Sequence, residues 1–309
     1  MSTEALQPDE KAIGVVGAGR MGAAIAQIFA AEGFSVLLID PSEDARRNAL
    51  ARIAEISRKR GGASDLPGQI RLYSDLPHEL SSCALVIEAA PEKTGLKQEL
   101  FERMDHLCAG DTILASNTSV IPIGELAARV KRRGRVVGTH FWNPPYAVRL
   151  VEVVKARETS DETVERAMAL LKRAGQSPVR VNKDVPGFIG NRLQHALKRE
   201  AIALVQNGVC DAETVDFVVR NSFGARLAAM GPLEQSDLVG LNLTLDIHKV
   251  ILRDLDCSKE PQQLLVDKVA LGHLGASVGQ GFRKWTPQER DELQERLDRA
   301  LLPPKSAAK

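Results

Sequence analysis

The sequence predicts an α/β fold in which a Rossmann-type, doubly wound sheet is followed by an all-helical C-terminal domain. Up to residue 184, short apolar runs alternate with helical segments, which is typical of βαβ units around a parallel sheet. After residue 186 the segments keep helical periodicity and show no strand alternation. A length of 309 residues suits two domains. We therefore predict a first domain at residues 1–184 and a helical domain at residues 185–309.

The first predicted unit is a βαβ motif at residues 11–40. Residues 13–16 form a short apolar strand, residues 23–31 have helical periodicity, and residues 35–39 form a second apolar strand. Gly33 marks the end of the helix, because glycine readily adopts the left-handed conformation found there.

The remaining segments continue this alternation as far as Pro186. Strands are predicted at residues 84–88, 112–116, 136–140, 150–154 and 178–181, and helices at residues 43–60, 96–107, 123–130 and 161–174. Glycines and a proline at residues 61–68 predict turns. Pro186 disfavours a helix through the preceding residue and suits the start of a new one, which places the domain boundary there. Beyond it, helices are predicted at residues 188–207, 212–220 and 241–255.

Composition argues against several classes of function. With 44% apolar and 26% charged residues, the chain has the composition of an ordinary globular protein. A net charge of +1 and an aromatic content of 4% give no reason to expect a nucleic acid or an anionic membrane as partner. Apolar runs are shorter than a membrane span, and residues 1–11 are polar and acidic, unlike a signal peptide. We expect a cytoplasmic protein.

The four cysteines are widely separated, at positions 83, 108, 210 and 257. No CxxC pair or Cys/His cluster with metal-ligand spacing occurs in the sequence. We expect neither a bound metal nor a disulfide, and we interpret the cysteines as small apolar residues.

A glycine-rich turn, Gly17-Ala18-Gly19-Arg20-Met21-Gly22, joins the first predicted strand to the first predicted helix. In a dinucleotide-binding turn, Gly17 permits the tight turn, Gly19 lets the backbone approach a pyrophosphate, and Gly22 allows close helix–strand contact. The helix N-terminus favours the negative charge of the pyrophosphate. A purely structural turn is the alternative.

Asp40 ends the second strand, 18 residues after Gly22. A carboxylate there accepts hydrogen bonds from ribose hydroxyls and repels a 2′-phosphate, which favours NAD over NADP. Arg46 and Arg47 follow soon afterwards and keep NADP open as an alternative.

The sequence also resembles the L-3-hydroxyacyl-CoA dehydrogenase family from residue 11 to residue 285. The motifs that carry the resemblance are the glycine turn, Val86-Ile87-Glu88-Ala89-Ala90-Pro91-Glu92, Ser116-Asn117-Thr118-Ser119, His140-Phe141-Trp142-Asn143-Pro144, Leu150-Val151-Glu152-Val153-Val154, Pro186-Gly187-Phe188-Ile189-Gly190-Asn191-Arg192-Leu193 and Met230-Gly231-Pro232-Leu233-Glu234. The resemblance implies an NAD-binding first domain, a helical second domain for substrate and dimerisation, and an NAD-dependent dehydrogenase of fatty acid metabolism. The substrate would lie in the cleft between the domains.

His140 and Glu152 are the candidate catalytic pair. Taken alone, a histidine at a strand end is more often structural, although Glu152 on the next predicted strand is a suitable partner. The resemblance implies that His140 is the general base and that Glu152 orients and stabilises its imidazole. It further implies that Ser119 hydrogen-bonds the reacting oxygen and that Asn191 faces His140. The structural alternatives are a helix N-cap or turn residue for Ser119 and a capping or packing residue for Asn191.

Five further residues are expected to contact NAD because of the resemblance. They are Arg20 and Met21 in the glycine turn, then Glu92, Lys97 and Asn143. For Glu92 and Lys97, a solvated helix start is the alternative. Near the C-terminus the family commonly has Lys-Thr-Gly-x-Gly-Phe, whereas this chain has Ser277-Val278-Gly279-Gln280-Gly281-Phe282. The NAD contact of that lysine is therefore not expected here.

Two substrate classes remain open at the level of sequence. The basic residues between positions 46 and 60 suit CoA phosphates, although a solvated helix face explains them equally well. An L-3-hydroxyacyl-CoA is the first prediction. The alternative is a free hydroxy acid, as in the related L-gulonate dehydrogenases and lambda-crystallins, or an aldehyde on a pyridine carboxylate, as in vitamin B6 breakdown. A non-catalytic dinucleotide-binding structural protein is a third possibility, which the intact candidate site disfavours.

A homodimer is also predicted. Second domains of the family commonly pair two chains, and the apolar residues 201–205 and 250–252 suit either such an interface or an internal core.

Overall fold

The computed structural model describes residues 12–60 and 66–301. These residues divide into two units: one reaches residue 191 and includes residues 298–301, and the other comprises residues 192–297. The first unit is built around a sheet, and the second is helical.

The sheet has eight strands in the order β3-β2-β1-β4-β5-β6-β7-β8. The strands are β1 Ala12–Val16, β2 Val36–Ile39, β3 Ile70–Tyr73, β4 Cys83–Glu88, β5 Ile113–Ser116, β6 Val136–Phe141, β7 Leu150–Val154 and β8 Ser177–Val181. The strand order reverses direction between β1 and β4, where doubly wound sheets bind ligands at the carboxyl ends of the strands. The predicted Rossmann-type fold is thereby confirmed.

Helices cover both faces of the sheet. The first unit contains α1 Arg20–Ala31, α2 Glu43–Lys59, α3 Thr94–Leu107, α4 Ile123–Leu126 and α5 Asp161–Arg173. One apolar cluster joins α1 and α5 to one face of the sheet, and a second joins α3 and α4 to the other face. Strands β1, β2, β4, β5 and β6 are buried along their whole length, as expected for strands covered on both faces.

Two features of the sheet differ from the sequence prediction. Strand β3 was not predicted. The sequence indicated turns up to residue 68 and no strand before residue 84, whereas β3 lies between them. It has only four residues at the sheet edge and is only partly buried, so its apolar signal is weak. Strand β7 runs antiparallel to β6, because the eight residues between them are too few for a helical crossover.

The second unit consists of helices and their connections. Helix α6, Gly190–Gln206, contains the boundary between the units, and α7 Ala212–Asn221, α8 Phe223–Arg226, α9 Pro232–Val239, α10 Leu241–Ile251, α11 Gln263–Ala270 and α12 Pro287–Leu301 follow. Many large apolar side chains in this unit are exposed, including Leu233 at 80% and Val250 at 74%. Among the described residues, no helix combines the length and the apolar character needed to span a bilayer.

Candidate active site

Three glycines shape the loop between β1 and α1. Gly17 has a φ of +106°, and a Cβ atom placed on it would lie 2.6 Å from the carbonyl oxygen of Ala89. A Cβ atom on Gly22 would lie 1.7 Å from the carbonyl oxygen of Gly17. Apart from its chain neighbours, no described atom lies within 4 Å of the Cβ position of Gly19. The middle glycine therefore faces open space, as a closely approaching ligand requires.

Helix α1 begins directly after this turn. Gly19 is its N-cap and has no side chain with which to cap the N–H groups of the first turn. These groups and the helix dipole suit an anionic ligand such as a pyrophosphate. The turn and the helix start therefore fit a dinucleotide.

Asp40 holds the turn from the end of β2. Its Oδ2 accepts a hydrogen bond from the Ala18 N–H at 2.8 Å, and its Oδ1 accepts one from the Ser42 N–H at 2.9 Å. The carboxylate is thus fixed beside the turn, where it suits the ribose hydroxyls of NAD.

Arg46 and Arg47, the two residues that could bind the 2′-phosphate of NADP, already have partners within the protein. Arg46 donates to the carbonyl oxygens of Asp40 and Pro41 at 2.6 and 3.0 Å. Arg47 forms an ion pair with Asp44. The contacts of Arg46 with the backbone favour NAD over NADP, whereas the exposed pair of Arg47 with Asp44 does not decide between them.

A buried ion pair lies at the carboxyl ends of β4 and β5. Lys97 Nζ is 2.7 and 2.9 Å from the two carboxylate oxygens of Glu88, and 3.1 Å from Glu92 Oε2. Ser116 donates to Glu88 Oε2 at 2.7 Å. Burial raises the pKa of Glu88, although the adjacent ammonium of Lys97 opposes that rise. Lys97 is only 1% exposed, so the solvated helix start considered from the sequence is wrong for this residue.

Glu92 connects this ion pair to the loop after β5. Its Oε1 accepts hydrogen bonds from the Thr118 hydroxyl and, at 3.0 Å, from the Ser119 N–H. Burial would raise the pKa of Glu92, but the bonds from Thr118, Lys97 and Ser119 outweigh burial and lower it. Ser119, the candidate substrate-binding hydroxyl, is exposed on a loop that these bonds fix.

Two asparagines also bond to this part of the site. Asn117 Oδ1 accepts a hydrogen bond from the Phe141 N–H at 3.0 Å, next to His140. Asn191 donates from Nδ2 to the Ser119 carbonyl oxygen at 3.1 Å. The loop that carries Ser119 is therefore tied to the end of β6 and to the start of α6.

His140 and Glu152 lie opposite each other in the antiparallel pair of β6 and β7. His140 Nδ1 is 2.8 Å from Glu152 Oε2, and both side chains are buried. The second carboxylate oxygen, Oε1, accepts hydrogen bonds from the N–H groups of Ile189 and Gly190 at 2.9 and 3.0 Å. Glu152 thus joins the imidazole to the start of α6.

These bonds determine the protonation state of Glu152. Burial would raise the pKa of this carboxyl, but the hydrogen bonds from His140, Gly190 and Ile189 outweigh burial and hold the pKa below its ordinary value. A carboxylate that stays ionised beside Nδ1 keeps that nitrogen protonated and leaves Nε2 as the basic ring nitrogen.

Two aromatic rings flank the imidazole. The ring centroids of Trp142 and Phe188 lie 5.3 and 5.6 Å from that of His140. A Cβ atom on Gly190 would lie 2.2 Å from Trp142, so the glycine is required for the indole to fit against α6. The rings pack beside the imidazole in tilted arrangements.

The structure joins six of the predicted site residues by hydrogen bonds or ion pairs, in two sets. Ser119, Asn191, Glu92 and Lys97 form one hydrogen-bonded set, and His140 and Glu152 form another. By contrast, the predicted cofactor contacts Arg20 and Asn143 are exposed, and Met21 is half-buried.

Several polar contacts were not anticipated from the sequence. Glu88 and Thr118 stand inside motifs that were recognised, but no role was assigned to them. Their burial, at 0% exposure for both side chains, is the distinguishing signal, and it becomes visible only in the fold. Likewise, no residue pattern predicts that the backbone N–H groups of Ile189 and Gly190 donate to Glu152.

All four cysteines are free thiols. Burial raises the pKa of Cys83 to about 12 and that of Cys108 to about 11. Among residues 12–60 and 66–301, no group of three or more His, Cys, Asp or Glu side chains is arranged to hold a metal ion.

A glycine turn at the start of α1, a carboxylate at the end of β2 and a sheet whose strand order reverses between β1 and β4 are typical of a dinucleotide-binding Rossmann fold. Residues 12–185 match the model of the 3-hydroxyacyl-CoA dehydrogenase NAD-binding domain, and residues 187–285 match the model of the 3-hydroxyacyl-CoA dehydrogenase C-terminal domain. The chain belongs to the 3-hydroxyacyl-CoA dehydrogenase family. It is an NAD-dependent dehydrogenase of that type, and NAD is its cofactor.

Similar proteins include members with different substrates in their names. A probable 3-hydroxybutyryl-CoA dehydrogenase of Bacillus subtilis is 39% identical over 281 residues, covering 88% of this chain and 96% of that protein. The 5-formyl-3-hydroxy-2-methylpyridine 4-carboxylate 5-dehydrogenase of Mesorhizobium japonicum is 33% identical over 296 residues, covering 94% and 96%. A crystal structure of a 5-dehydrogenase of that pyridine carboxylic acid, described as an NAD+-dependent dismutase, superposes with a TM-score of 0.86 at 32% identity, covering 94% of this chain and 96% of that one.

Proposed function

We propose that the protein interconverts the 3-hydroxyl and 3-oxo groups of an L-3-hydroxyacyl-CoA in an NAD-dependent reaction, with His140 as general base. The observation that carries the proposal is the buried contact of 2.8 Å between His140 Nδ1 and Glu152. It occurs at the carboxyl end of β6, the same edge of the sheet as the glycine turn. A polar pair of this kind costs free energy to bury and suits proton transfer near neutral pH.

In the oxidation direction, His140 accepts the proton of the substrate hydroxyl at Nε2. Glu152 stabilises the resulting imidazolium and keeps Nδ1 as a hydrogen-bond donor, the role of an orienting carboxylate in a catalytic triad. NAD, when bound, supplies the acceptor for the hydride. Ser119 offers its exposed hydroxyl to the reacting oxygen, and Asn191 fixes the Ser119 backbone through the contact with its carbonyl oxygen.

The residues that hold NAD lie along the carboxyl edge of the sheet. The turn Gly17, Gly19 and Gly22, with Arg20 and Met21, binds the pyrophosphate, and Asp40 binds the ribose. Glu92, Lys97 and Asn143 complete the set towards the nicotinamide half. The hydrogen bonds that fix Asp40 and the burial of Lys97 support these assignments.

The domain roles follow the same division. Residues 1–184 bind NAD, and residues 185–309 form the helical domain for substrate and dimerisation. Of the two apolar stretches predicted to serve an interface, residues 250–252 are exposed, whereas residues 201–205 are buried or half-buried. The exposed apolar side chains of α9 and α10 therefore support a homodimer, and we place the enzyme in the cytoplasm, in fatty acid metabolism.

A second candidate substrate is a small pyridine carboxylate without CoA. The observation that favours it is the likeness to the Mesorhizobium japonicum enzyme, which extends over 94% of this chain, against 88% for the Bacillus subtilis protein. In this alternative the basic residues of α2 serve as a solvated face.

Initial rates with NAD and either 3-hydroxybutyryl-CoA, free 3-hydroxybutyrate, L-gulonate or 5-formyl-3-hydroxy-2-methylpyridine 4-carboxylate decide between the candidates. We expect kcat/KM for the thioester to exceed that for each free acid by about a hundredfold, or about 2.7 kcal/mol in transition-state binding. A higher kcat/KM for the pyridine carboxylate would replace the first proposal by the second.

A further inference from the structure

Glu88 and Lys97 form an ion pair that is withdrawn from solvent on both sides. Their side chains are 0% and 1% exposed. Opposite charges buried together recover their desolvation cost only when both are fully hydrogen-bonded, and such pairs often contribute little to stability. Retaining the pair therefore calls for a role other than stability.

The hydrogen bonds of the pair are complete. Glu88 Oε1 accepts from the Ala90 N–H at 2.6 Å and from Lys97, and Oε2 accepts from Lys97 and from Ser116. Besides Glu88, Lys97 Nζ donates to the Ala90 carbonyl oxygen at 3.2 Å and to Glu92. The N–H of Ala90 and the ammonium of Lys97 can only donate, and between them they face both carboxylate oxygens, so the geometry suits an ionised Glu88.

These bonds fix the backbone on one side of the cofactor turn. Glu88 and Lys97 bind the N–H and the carbonyl oxygen of Ala90, respectively. The same strand end lies against the glycine turn, since a Cβ atom on Gly17 would be 2.6 Å from the Ala89 carbonyl oxygen and 3.0 Å from the Ala90 nitrogen. Moving Ala90 would therefore disturb the turn.

The pair also supports the loop of Ser119. Lys97 holds Glu92, whose other carboxylate oxygen accepts from Thr118 and Ser119. The chain of contacts thus runs from Glu88 through Lys97 and Glu92 to the candidate substrate loop. The carboxylates of Glu88 and Glu92 and the ammonium of Lys97 together carry one excess negative charge. Two of the three side chains are buried, where water screens charges only weakly.

We propose that Glu88 is a positioning residue for the cofactor site, and that the excess negative charge of the Glu88, Lys97 and Glu92 group makes the enzyme bind NAD+ in preference to NADH. The inference rests on the proposed placement of Glu92 and Lys97 at the nicotinamide half of NAD. Oxidised nicotinamide carries one more positive charge than reduced nicotinamide, so a negative site stabilises the oxidised form selectively. This preference shifts the equilibrium between the two bound forms of the cofactor towards NAD+.

The test is direct binding of NAD+ and NADH to the full chain, measured by calorimetry and fluorescence without substrate. Glu88→Gln keeps the shape of the side chain and removes its charge. We expect the Kd for NAD+ to rise about tenfold and the Kd for NADH to rise less than about threefold. A loss of packing alone would weaken both forms equally, so equal changes, or no change, would overturn the proposal.

Two further variants keep the test decisive. Glu92→Gln removes the same unit of charge from a half-exposed position, so the ratio of the two Kd values must shift in the same direction even if Glu88→Gln does not fold. Asp105→Asn is the matched control, because Asp105 lies on α3, the helix that carries Lys97, and pairs with the buried Arg135 at 2.8 Å. It should lower the thermal midpoint and leave both Kd values unchanged. If the wild-type chain bound neither form, the NAD assignment itself would be wrong, which is a different result.

Discussion

At the scale of single residues, Glu152 uses its two carboxylate oxygens for different purposes. One oxygen orients His140, and the other accepts the two N–H groups at the start of α6. A substitution here therefore affects both the imidazole and the helix start.

Stability should depend on the ionisation of Glu152. The pKa of this carboxyl is lower in the folded chain than the ordinary value of 4.5, so its contribution is present above pH 4.5 and is lost as the pH falls through the folded pKa. We expect Glu152→Gln to lower the free energy of unfolding by about 2 kcal/mol at about pH 5, because the imidazole and the amides lose an ionised acceptor. The difference should shrink towards about pH 3.

Denaturant unfolding of both proteins at the two pH values measures this difference. The other carboxylates titrate in the wild type and in Glu152→Gln alike, so their contributions cancel in the difference between the two free energies of unfolding. An equal difference at both pH values would show that the charge of Glu152 does not stabilise the fold.

The pairing of His140 with Glu152 was predictable from the family resemblance and from their places on consecutive predicted strands. The contact of Lys97 with Glu88 was not. These residues are nine positions apart, on a strand end and a helix start, and nothing in their spacing shows that the intervening loop folds the lysine back into the sheet. A solvated position was therefore the alternative at Lys97, because a charged side chain is ordinarily exposed.

At the scale of secondary-structure elements, the junction of β1 and α1 combines a structural and a functional requirement. Gly22 permits close contact within the turn, whereas Gly19 leaves space beside the helix start. Alanine substitutions at these two positions should therefore have different effects.

Gly19→Ala should leave the thermal midpoint unchanged and weaken NAD+ binding by about tenfold or more, since its Cβ atom meets no described atom of the protein but fills the ligand space. Gly22→Ala should weaken binding and also destabilise the fold by about 2 kcal/mol, because its Cβ atom would lie 1.7 Å from the Gly17 oxygen. Thermal unfolding and calorimetric titration distinguish the two variants. As a control for the loss of glycine alone, Gly95→Ala on α3 also meets open space. Equal effects of the two substitutions would contradict the separate roles.

The elements differ in how clearly the sequence predicts them. Strands β1, β4 and β6 are fully buried, each contains adjacent apolar residues, and all three were predicted within one or two residues. The direction of β7 was missed because residue patterns indicate a strand but not its orientation. Only the length of the connection from β6 indicates the direction of β7. A parallel neighbour would need a crossover of about a dozen residues or more, and this connection is shorter.

At the scale of the whole molecule, the helical unit carries most of the exposed large apolar side chains. Leu238 on α9 is 73% exposed, and Leu241 and Val250 on α10 are 62% and 74% exposed. Exposed apolar residues in such numbers are typical of a protein–protein interface.

We expect the wild-type chain to form dimers and Val250→Asp to shift them to monomers of 33.6 kDa, because a charge at an apolar interface must be desolvated. Light scattering after size-exclusion chromatography measures the mass. Val179→Asp on β8, which is 38% exposed, is the control and should remain dimeric. A monomeric wild-type chain at micromolar concentration would contradict the prediction.

The central claim is that His140, oriented by Glu152, accepts the substrate proton. The most direct test compares kcat/KM and NAD+ affinity of the wild-type enzyme and His140→Gln, with whichever substrate the wild type oxidises best. We predict a loss of about 10²- to 10⁴-fold in kcat/KM, together with an NAD+ Kd within about twofold of the wild-type value. Turnover by His140→Gln at the wild-type rate would contradict the account.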